Sequence, residues 1–304
     1  MAGSQDFAED PRNAHVLALV DGALVPLQEA SVSIFDAGFG LGDGVWEGLR
    51  LHRGALLFLE AHLDRLYAGA KAIAIDIGLT QDEMRAELKR LLIANSMTDG
   101  AHLRLMVTRG RKRSINQDPR HALGKATVVC TAEFKASTVA TTGLNLHIGS
   151  IRTSGPEVFD MHLNSHSRLN YIRALLEAID VGADEAVMLD PYGNVASCNA
   201  TNLFWVRGGE VRCAADRFCF PGVTRANVIA LCQDGAAPVR VGDFSPQDLL
   251  AADEAFVTGT MGGITPVARV DGTVFAPGAG PVTQHLQQCY AALKDDYARR
   301  HPLL

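Results

Sequence analysis

The chain has 304 residues, of which 47% are hydrophobic and 20% charged, and its formal net charge is −6 at pH 7. This length suffices for one large or two medium domains, and the acidic balance excludes a general attraction to nucleic acid. No apolar run reaches the ~20 residues that cross a bilayer, and the polar first ten residues do not resemble a signal peptide. The six cysteines lack metal-ligand spacing. We therefore expect a cytoplasmic globular protein without a metal site.

The first half of the chain is predicted to alternate strands and helices. The dipeptide Asp21-Gly22 between two apolar runs predicts a hairpin turn, and Thr80 with Glu83 forms a capping-box pattern at the start of a helix. In chain order the predicted elements are a hairpin at 15–27, a glycine-rich loop at 33–50, a helix at 60–75, a helix from residue 80, and strands at 102–110 and 126–133.

Small and polar residues at 136–143 predict a connection between two domains. We expect a smaller N-terminal α/β domain at 1–135 and a larger C-terminal α/β domain at 144–304. In chain order the larger domain is predicted to hold a strand at 144–150, a helix at 172–179, a helix after Gly222, a helix that begins at Ser245-Pro246, and a closing helix at 281–300.

Four stretches of the second half carry a family resemblance. They are Asn164-Ser-His-Ser-Arg-Leu-Asn-Tyr171, Gly182-Ala-Asp-Glu-Ala186, Asn199-Ala-Thr-Asn-Leu-Phe204 and Gly222-Val-Thr-Arg225. In this order they resemble the class IV aminotransferases, the fold-type IV family that binds pyridoxal phosphate (PLP) and includes branched-chain aminotransferases, D-amino acid aminotransferases and aminodeoxychorismate lyase. The resemblance covers nearly the whole chain. It implies a fold-type IV α/β fold of two domains with the pocket between them, a homodimer, and a small amino or keto acid as substrate.

The resemblance also implies which residues hold the cofactor. Arg65, in a His-x-x-Arg-Leu motif, matches the arginine that grips the PLP phosphate, and a guanidinium fork suits that group. The further matches are Tyr171 for the phenolic oxygen, Val223 and Thr224 at a helix N-terminus, and Thr260 and Met261 in a second phosphate loop. From the residue types alone, a surface salt bridge for Arg65 and a core position for Tyr171 stay open.

Three residues match the substrate side of the pocket. Trp46 follows the glycine-rich loop, at the position where the family brings an aromatic residue to the substrate, although a core tryptophan on a strand is the alternative. Arg104 matches a pocket arginine. His102 stands where the branched-chain enzymes have tyrosine, which argues against branched-chain specificity.

Two positions depart from the family at the reactive end. Asn164 lies where the D-amino acid aminotransferases and the lyases carry the lysine that bonds covalently to the cofactor, and an amide is neither nucleophilic nor basic. Ser197 lies where the family places the glutamate that keeps the pyridine nitrogen protonated, so the electron sink is expected to be weaker. We therefore expect PLP, or its amine form PMP, to bind noncovalently.

Three functional hypotheses remain at this point. The first is an aminotransferase-like enzyme with noncovalent PLP or PMP. The second is a non-catalytic binding or regulatory homologue. The third is a cofactor-independent or lyase-type enzyme that reuses the pocket through His162, His166, Cys198 or Ser197.

Overall fold

The computed structural model describes residues 7–137, 143–275 and 278–304. These residues divide into two compact units. The amino unit comprises Ala8–Ala136, Leu163–Arg168 and Lys294–Leu304, and the carboxyl unit holds most of the remainder. The first long segment of the amino unit ends inside the predicted connection at 136–143, of which residues 138–142 lie outside the described ranges. Two short segments of the predicted larger domain belong to the amino unit.

The α-helices, in chain order, are α1 Ala37–Leu41, α2 Leu59–Ala72, α3 Gln81–Ala94, α4 Leu169–Asp180, α5 Val223–Leu231, α6 Pro246–Leu250 and α7 Pro281–Arg300. The strands are β1 Phe7–Ala8, β2 Leu17–Val20, β3 Ala23–Pro26, β4 Gly44–His52, β5 Ala55–Leu56, β6 Ala101–Thr108, β7 Thr127–Phe134, β8 Ala136–Ser137, β9 Leu144–Arg152, β10 Glu185–Leu189, β11 Val195–Cys198, β12 Asn202–Arg207, β13 Glu210–Ala214, β14 Val239–Gly242, β15 Glu254–Gly259, β16 Gly263–Val270 and β17 Thr273–Val274.

The amino unit is built on an antiparallel sheet with the strand order β3-β2-β7-β6-β4-β5. Its core lies against α2 and α3. Leu63, Leu66 and Ala70 recur at helical spacing on α2 and are buried with Leu88 and Leu91 of α3. The sheet therefore has a covered face, and the side chains of β4 and β6 alternate between that face and the opposite one.

The carboxyl unit is built on a mixed sheet with the main strand order β11-β10-β9-β16-β15-β12-β13-β14. Strand β9 runs parallel to both β10 and β16, whereas β12 is antiparallel to β13 and β15. The stacked rings of Phe204 and Phe256, 5.1 Å apart between centroids, lie on neighbouring strands. Of the predicted phosphate residues, Val223 and Thr224 lie at the start of α5, and Thr260 and Met261 lie in the turn that follows β15.

Local predictions from turn and cap chemistry are largely confirmed. The hairpin turn has positive φ at Asp21 (47°) and Gly22 (83°), and the capping box of Thr80 and Glu83 is complete. The closing helix has the predicted bounds. The predicted cap at Ser245 is only half right, because α6 starts there but the serine side chain makes no capping hydrogen bond. No helix within the described ranges is long and apolar enough to span a bilayer.

Candidate functional site

The segment Leu163–Arg168 lies along the first residues of β4 in the manner of an added strand. Trp46 N donates to Asn164 O at 2.9 Å, His166 N donates to Gly44 O at 2.9 Å, and Val45 pairs with Ser165 in an antiparallel bridge. A Cβ on Gly44 would lie 2.5 Å from Val107 O and 2.8 Å from His166 Cδ2, so only glycine fits at this position. The segment is thereby fixed beside Trp46.

The amide of Asn164 is fully engaged within the amino unit. Its Nδ2 donates to Trp46 O at 2.5 Å and lies 3.5 Å from Glu47 Oε1, while its Oδ1 accepts from Arg168 Nη2. The residue is 5% exposed. The position predicted for the lysine therefore holds a buried amide that is hydrogen-bonded to its neighbours and is not a nucleophile.

Glu47 is the hub of a buried charge network. It accepts from His62 Nδ1 at 2.6 Å and from Arg65 through Nε at 2.7 Å and Nη2 at 2.6 Å. Burial by itself raises the pKa of Glu47, but the hydrogen bonds from Arg65 and His62 outweigh it and hold the pKa below its ordinary value. Arg65, the predicted phosphate ligand, is thus a bidentate partner of a carboxylate in the structure, and its phosphate role stays a prediction.

Sequence reasoning missed Glu47, although the sequence contains a signal for it. Val45, Glu47, Leu49 and Leu51 share one face of β4, and all four are buried. A carboxylate among apolar residues on the covered face of a strand requires partners, because an unpaired buried charge is costly. His62 and Arg65 of the packed helix α2 are those partners.

Trp46, His102 and Arg104 lie together on the other face of this sheet. Gly48 of β4 is paired with Arg104 of β6, and a Cβ on Gly48 would lie 3.2 Å from His102 Nε2, so the missing side chain leaves room for both neighbours. Arg104 Cζ lies 3.3 Å from the centroid of the Trp46 ring. Burial, with Lys135 and the nearby arginines, lowers the pKa of His102 to about 3, so its ring is neutral at pH 7.

Two of the predicted phosphate residues of the carboxyl unit lie at a helix N-terminus. Helix α5 starts at Val223 and Thr224, and its N-cap Gly222 makes no side-chain cap bond to the first N–H groups. A Cβ on Gly222 would lie 2.1 Å from Asn202 Oδ1, so a residue with a capping side chain does not fit at this position. The hydroxyl of Thr258 is buried without a hydrogen-bond partner among the described residues. These features fit a phosphate group.

Thr260 and Met261 lie in the turn that joins β15 to β16, just beyond Thr258. Both residues are half-buried. Their predicted phosphate contact stays a prediction.

Ser197, at the position predicted for the pyridine-binding glutamate, has a hydroxyl that is already hydrogen-bonded. Ser197 Oγ donates to Thr201 O at 3.0 Å, and Thr201 Oγ1 donates to Glu185 Oε2 at 2.7 Å. Thr201 thus links Ser197 to the buried carboxylate of Glu185, a residue that the sequence analysis did not single out. Tyr171 is buried, and its hydroxyl lies 3.7 Å from Met161 Sδ.

The residues of the cofactor-independent hypothesis lie in different environments. His162 is exposed beside Asp160, at 2.8 Å, whereas His166 is half-buried with Nε2 3.2 Å from Val45 O. Burial lowers the pKa of His166 and raises that of the Cys198 thiol well above its ordinary value. Cys198 is therefore protonated at pH 7 and unsuited to nucleophilic attack. No cluster of metal-binding side chains occurs among the described residues.

Comparisons with known proteins identify a family for the chain. The model of the class IV aminotransferase family matches residues 44–270. The chain is 38% identical, over 94% of its length, to branched-chain-amino-acid aminotransferase-like protein 1 of Arabidopsis thaliana, but it spans only 52% of that protein. It is 34% identical to a putative branched-chain-amino-acid aminotransferase of Methanocaldococcus jannaschii, with 90% of this chain and 95% of that protein covered.

A solved structure extends the similarity to the fold. The branched-chain amino acid aminotransferase of T.th., solved with pyridoxamine 5′-phosphate, superimposes with a TM-score of 0.86 at 28% identity, covering 93% of this chain and 97% of that chain. The expected fold-type IV architecture is thereby confirmed. The chain spans about half the length of the two Arabidopsis relatives.

Proposed function

Because the chain belongs to the class IV aminotransferase family, we propose that it is an aminotransferase-like enzyme that acts on a small amino or keto acid with PLP or PMP held noncovalently. The similar T.th. enzyme was solved with PMP, which supports this choice of cofactor. The observation that carries the noncovalent mode is Asn164, whose amide is buried and hydrogen-bonded at the position expected for the lysine.

The phosphate is proposed to lie at the start of α5, where the N–H groups of Val223 and Thr224 face no side-chain cap. Thr260 and Met261 in the following loop are proposed to contribute, as is Tyr171 at the phenolic oxygen. When bound, PLP supplies an electron sink for the substrate α-carbon. Ser197 brings no negative charge toward a ring nitrogen, so the proposed activity is slow compared with that of an enzyme that has glutamate there.

Because the amide of Asn164 is not basic, the proposed reaction needs another group near it to accept a proton. His166 is the group of the segment Leu163–Arg168 that meets this need, because burial keeps its ring neutral and its Nε2–H donates to Val45 O. In that tautomer Nδ1 is the basic nitrogen. We propose that His166 Nδ1 takes the proton that a lysine would otherwise move.

The exposed face of α4 supports the proposal of a homodimer. Leu169, Ile172, Leu176 and Ile179 recur at helical spacing, and each is about half or more exposed, Leu169 being 70% exposed. A continuous apolar stripe of this kind marks an interaction surface, and a second copy of the chain is the commonest partner.

The test of the proposed function is spectroscopic. Purified protein with added PLP should show one bound cofactor per chain, which gel filtration in cofactor-free buffer removes. Borohydride followed by mass spectrometry should label no lysine peptide, and addition of an amino acid should convert PLP to PMP. A labelled lysine would refute the noncovalent mode. Absence of PLP binding would refute the cofactor proposal and favour a binding homologue or a cofactor-independent enzyme.

A further inference from the structure

Helix α7 is fixed to the hairpin of β15 and β16 through its first turns. Glu254, the first residue of β15, accepts from Thr283 N at 2.8 Å and from Thr283 Oγ1 at 2.7 Å. One turn further along the helix, Gln287 Nε2 donates to Ile264 O at 3.0 Å. Thr283, Gln287 and Tyr290 follow the i, i+4, i+7 spacing of one helix face. This face of α7 is therefore the one that packs on the hairpin.

Tyr290 touches both parts of the proposed phosphate site. Its ring carbon Cε1 would lie 3.5 Å from a Cβ on Gly263, and the residue is only 5% exposed. Gly263 begins β16, directly after the turn that holds Thr260 and Met261. Burial raises the pKa of Tyr290, and a hydrogen bond with the side chain of Thr224 opposes this rise. Tyr290 thus links the turn between β15 and β16 to the first turn of α5.

The protonation of Tyr290 determines what the hydroxyl of Thr224 can do. Because its pKa is raised above the ordinary value of 10.0, Tyr290 keeps its hydrogen at pH 7 and can donate it. Thr224 Oγ1 carries two lone pairs and one hydrogen. When Tyr290 donates to one of these lone pairs, the hydrogen of Thr224 is left for another acceptor. An anion at the start of α5 is such an acceptor.

A second hydroxyl lies one strand pairing away from the same helix start. Thr258 is paired with Asn202, whose Oδ1 would lie 2.1 Å from a Cβ on Gly222, the N-cap of α5. Thr258 is 1% exposed, and its hydroxyl has no hydrogen-bond partner among the described residues. A buried donor without a partner costs free energy, and an acceptor bound at this place would remove that cost.

We propose that Tyr290 is a positioning residue of the phosphate site, which holds the hydroxyl of Thr224 so that its hydrogen is directed to the phosphate of PLP or PMP. The inference rests on the proposed function and extends it, because it adds to that site a residue of α7 that the family resemblance did not indicate. Tyr290 acts through Thr224 and is assigned no contact of its own with the cofactor.

The test compares PLP with pyridoxal, which lacks the phosphate, by equilibrium dialysis against the full-length protein. Tyr290→Phe keeps the ring against Gly263 and removes only the hydroxyl. It should weaken PLP binding about threefold to tenfold, the range of one hydrogen bond, and leave pyridoxal binding unchanged. A merely structural role of Tyr290 would weaken the binding of both ligands alike. Unchanged PLP binding, or an equal loss for both ligands, would overturn the proposal.

A double-mutant cycle tests whether Tyr290 acts through Thr224. Thr224→Val keeps the shape of the side chain and removes its hydroxyl, so this change alone should weaken PLP binding. Adding Tyr290→Phe to Thr224→Val should then cause no further loss of affinity. Two losses that multiply as independent effects would show that Tyr290 does not act through Thr224, and the proposal would be wrong.

The matched control is Tyr297→Phe, the same change on the same helix, at a hydroxyl that accepts from Leu59 N at 3.0 Å. It should leave the affinity for both ligands unchanged, and circular dichroism checks the folding of every variant. If the wild type binds PLP no more tightly than pyridoxal, the proposed phosphate site is refuted together with this inference. If the wild type prefers PLP and Tyr290→Phe keeps the full preference, only the role of Tyr290 is refuted.

Discussion

Removal of the charge of Glu47 should destabilise the protein far more than removal of a surface carboxylate. In Glu47→Gln the bidentate bond from Arg65 is broken, because the new amide NH2 faces a donor where an oxygen was. Glu47 is fully buried, and loss of one partner of a buried ion pair costs about 3 to 5 kcal/mol. We expect this loss in the free energy of unfolding, which is a large part of the ~5–15 kcal/mol typical of a folded protein.

The assay is urea unfolding at pH 7, followed by circular dichroism. The matched control is Glu87→Gln on α3, whose partner Arg90 lies 2.5 Å away at the surface, and a surface pair of this kind contributes about 0–1 kcal/mol. If Glu47→Gln loses no more than Glu87→Gln, the network around Glu47 does not stabilise the fold and the reasoning is refuted.

The lowered pKa of Glu47 also predicts how the stability of the protein depends on pH. The pKa of Glu47 in the folded protein lies below its ordinary value of 4.5. Its stabilising contribution is therefore fully present above pH 4.5 and is lost as the pH falls through the folded pKa. The stability difference between the wild type and Glu47→Gln should shrink in acid, and a difference that grows below pH 4.5 would contradict the assignment.

Three other predictions concern the cofactor and the assembly. In Asn164→Lys, borohydride should fix PLP to the new amine, while activity stays low. Adding Ser197→Glu should raise activity beyond the product of the two separate effects. If borohydride fixes no PLP to a folded Asn164→Lys protein, the assigned lysine position is contradicted. Gly222→Ala, which sets a Cβ against Asn202, should weaken PLP binding about tenfold or more without affecting unphosphorylated pyridoxal, as equilibrium dialysis can show. Light scattering should find a dimer at micromolar concentration for the wild type and a monomer for Ile172→Glu, and a monomeric wild type would exclude the homodimer.

Features set by neighbours in sequence could be predicted, whereas features set by distant pairs could not. The Asp21-Gly22 turn and the capping box of Thr80 depend on a few adjacent residues, and both were found as predicted. The pairing of Val45 with Ser165 joins positions that lie far apart in the chain, so no local pattern indicates it. Without that pairing there is no reason to place Asn164 against Glu47.

The start of α5 was more predictable than the surroundings of Arg65 and Ser197 for a related reason. A helix N-terminus preceded by glycine is a local signal, and it led to Val223 and Thr224 at the start of α5. The partners of Arg65 and Ser197 come from other elements, Glu47 on β4 and Thr201 ahead of β12. Their hydrogen bonds depend on tertiary structure, so their environments could be read only from the coordinates.

The discontinuous make-up of the amino unit has a consequence for its synthesis on the ribosome. Strand β4 and its neighbours emerge first, but the chain that covers the outer edge of β4 near Trp46 is made only when residues 163–168 appear. The segment Lys294–Leu304 arrives last, and Leu303 N then donates to Gly54 O at 3.0 Å. Until residues 163–168 are made, the outer edge of β4 presents unpaired backbone groups, and such an edge recruits other strands. A nascent chain stalled near residue 136 should therefore depend on chaperones more than one stalled beyond residue 168.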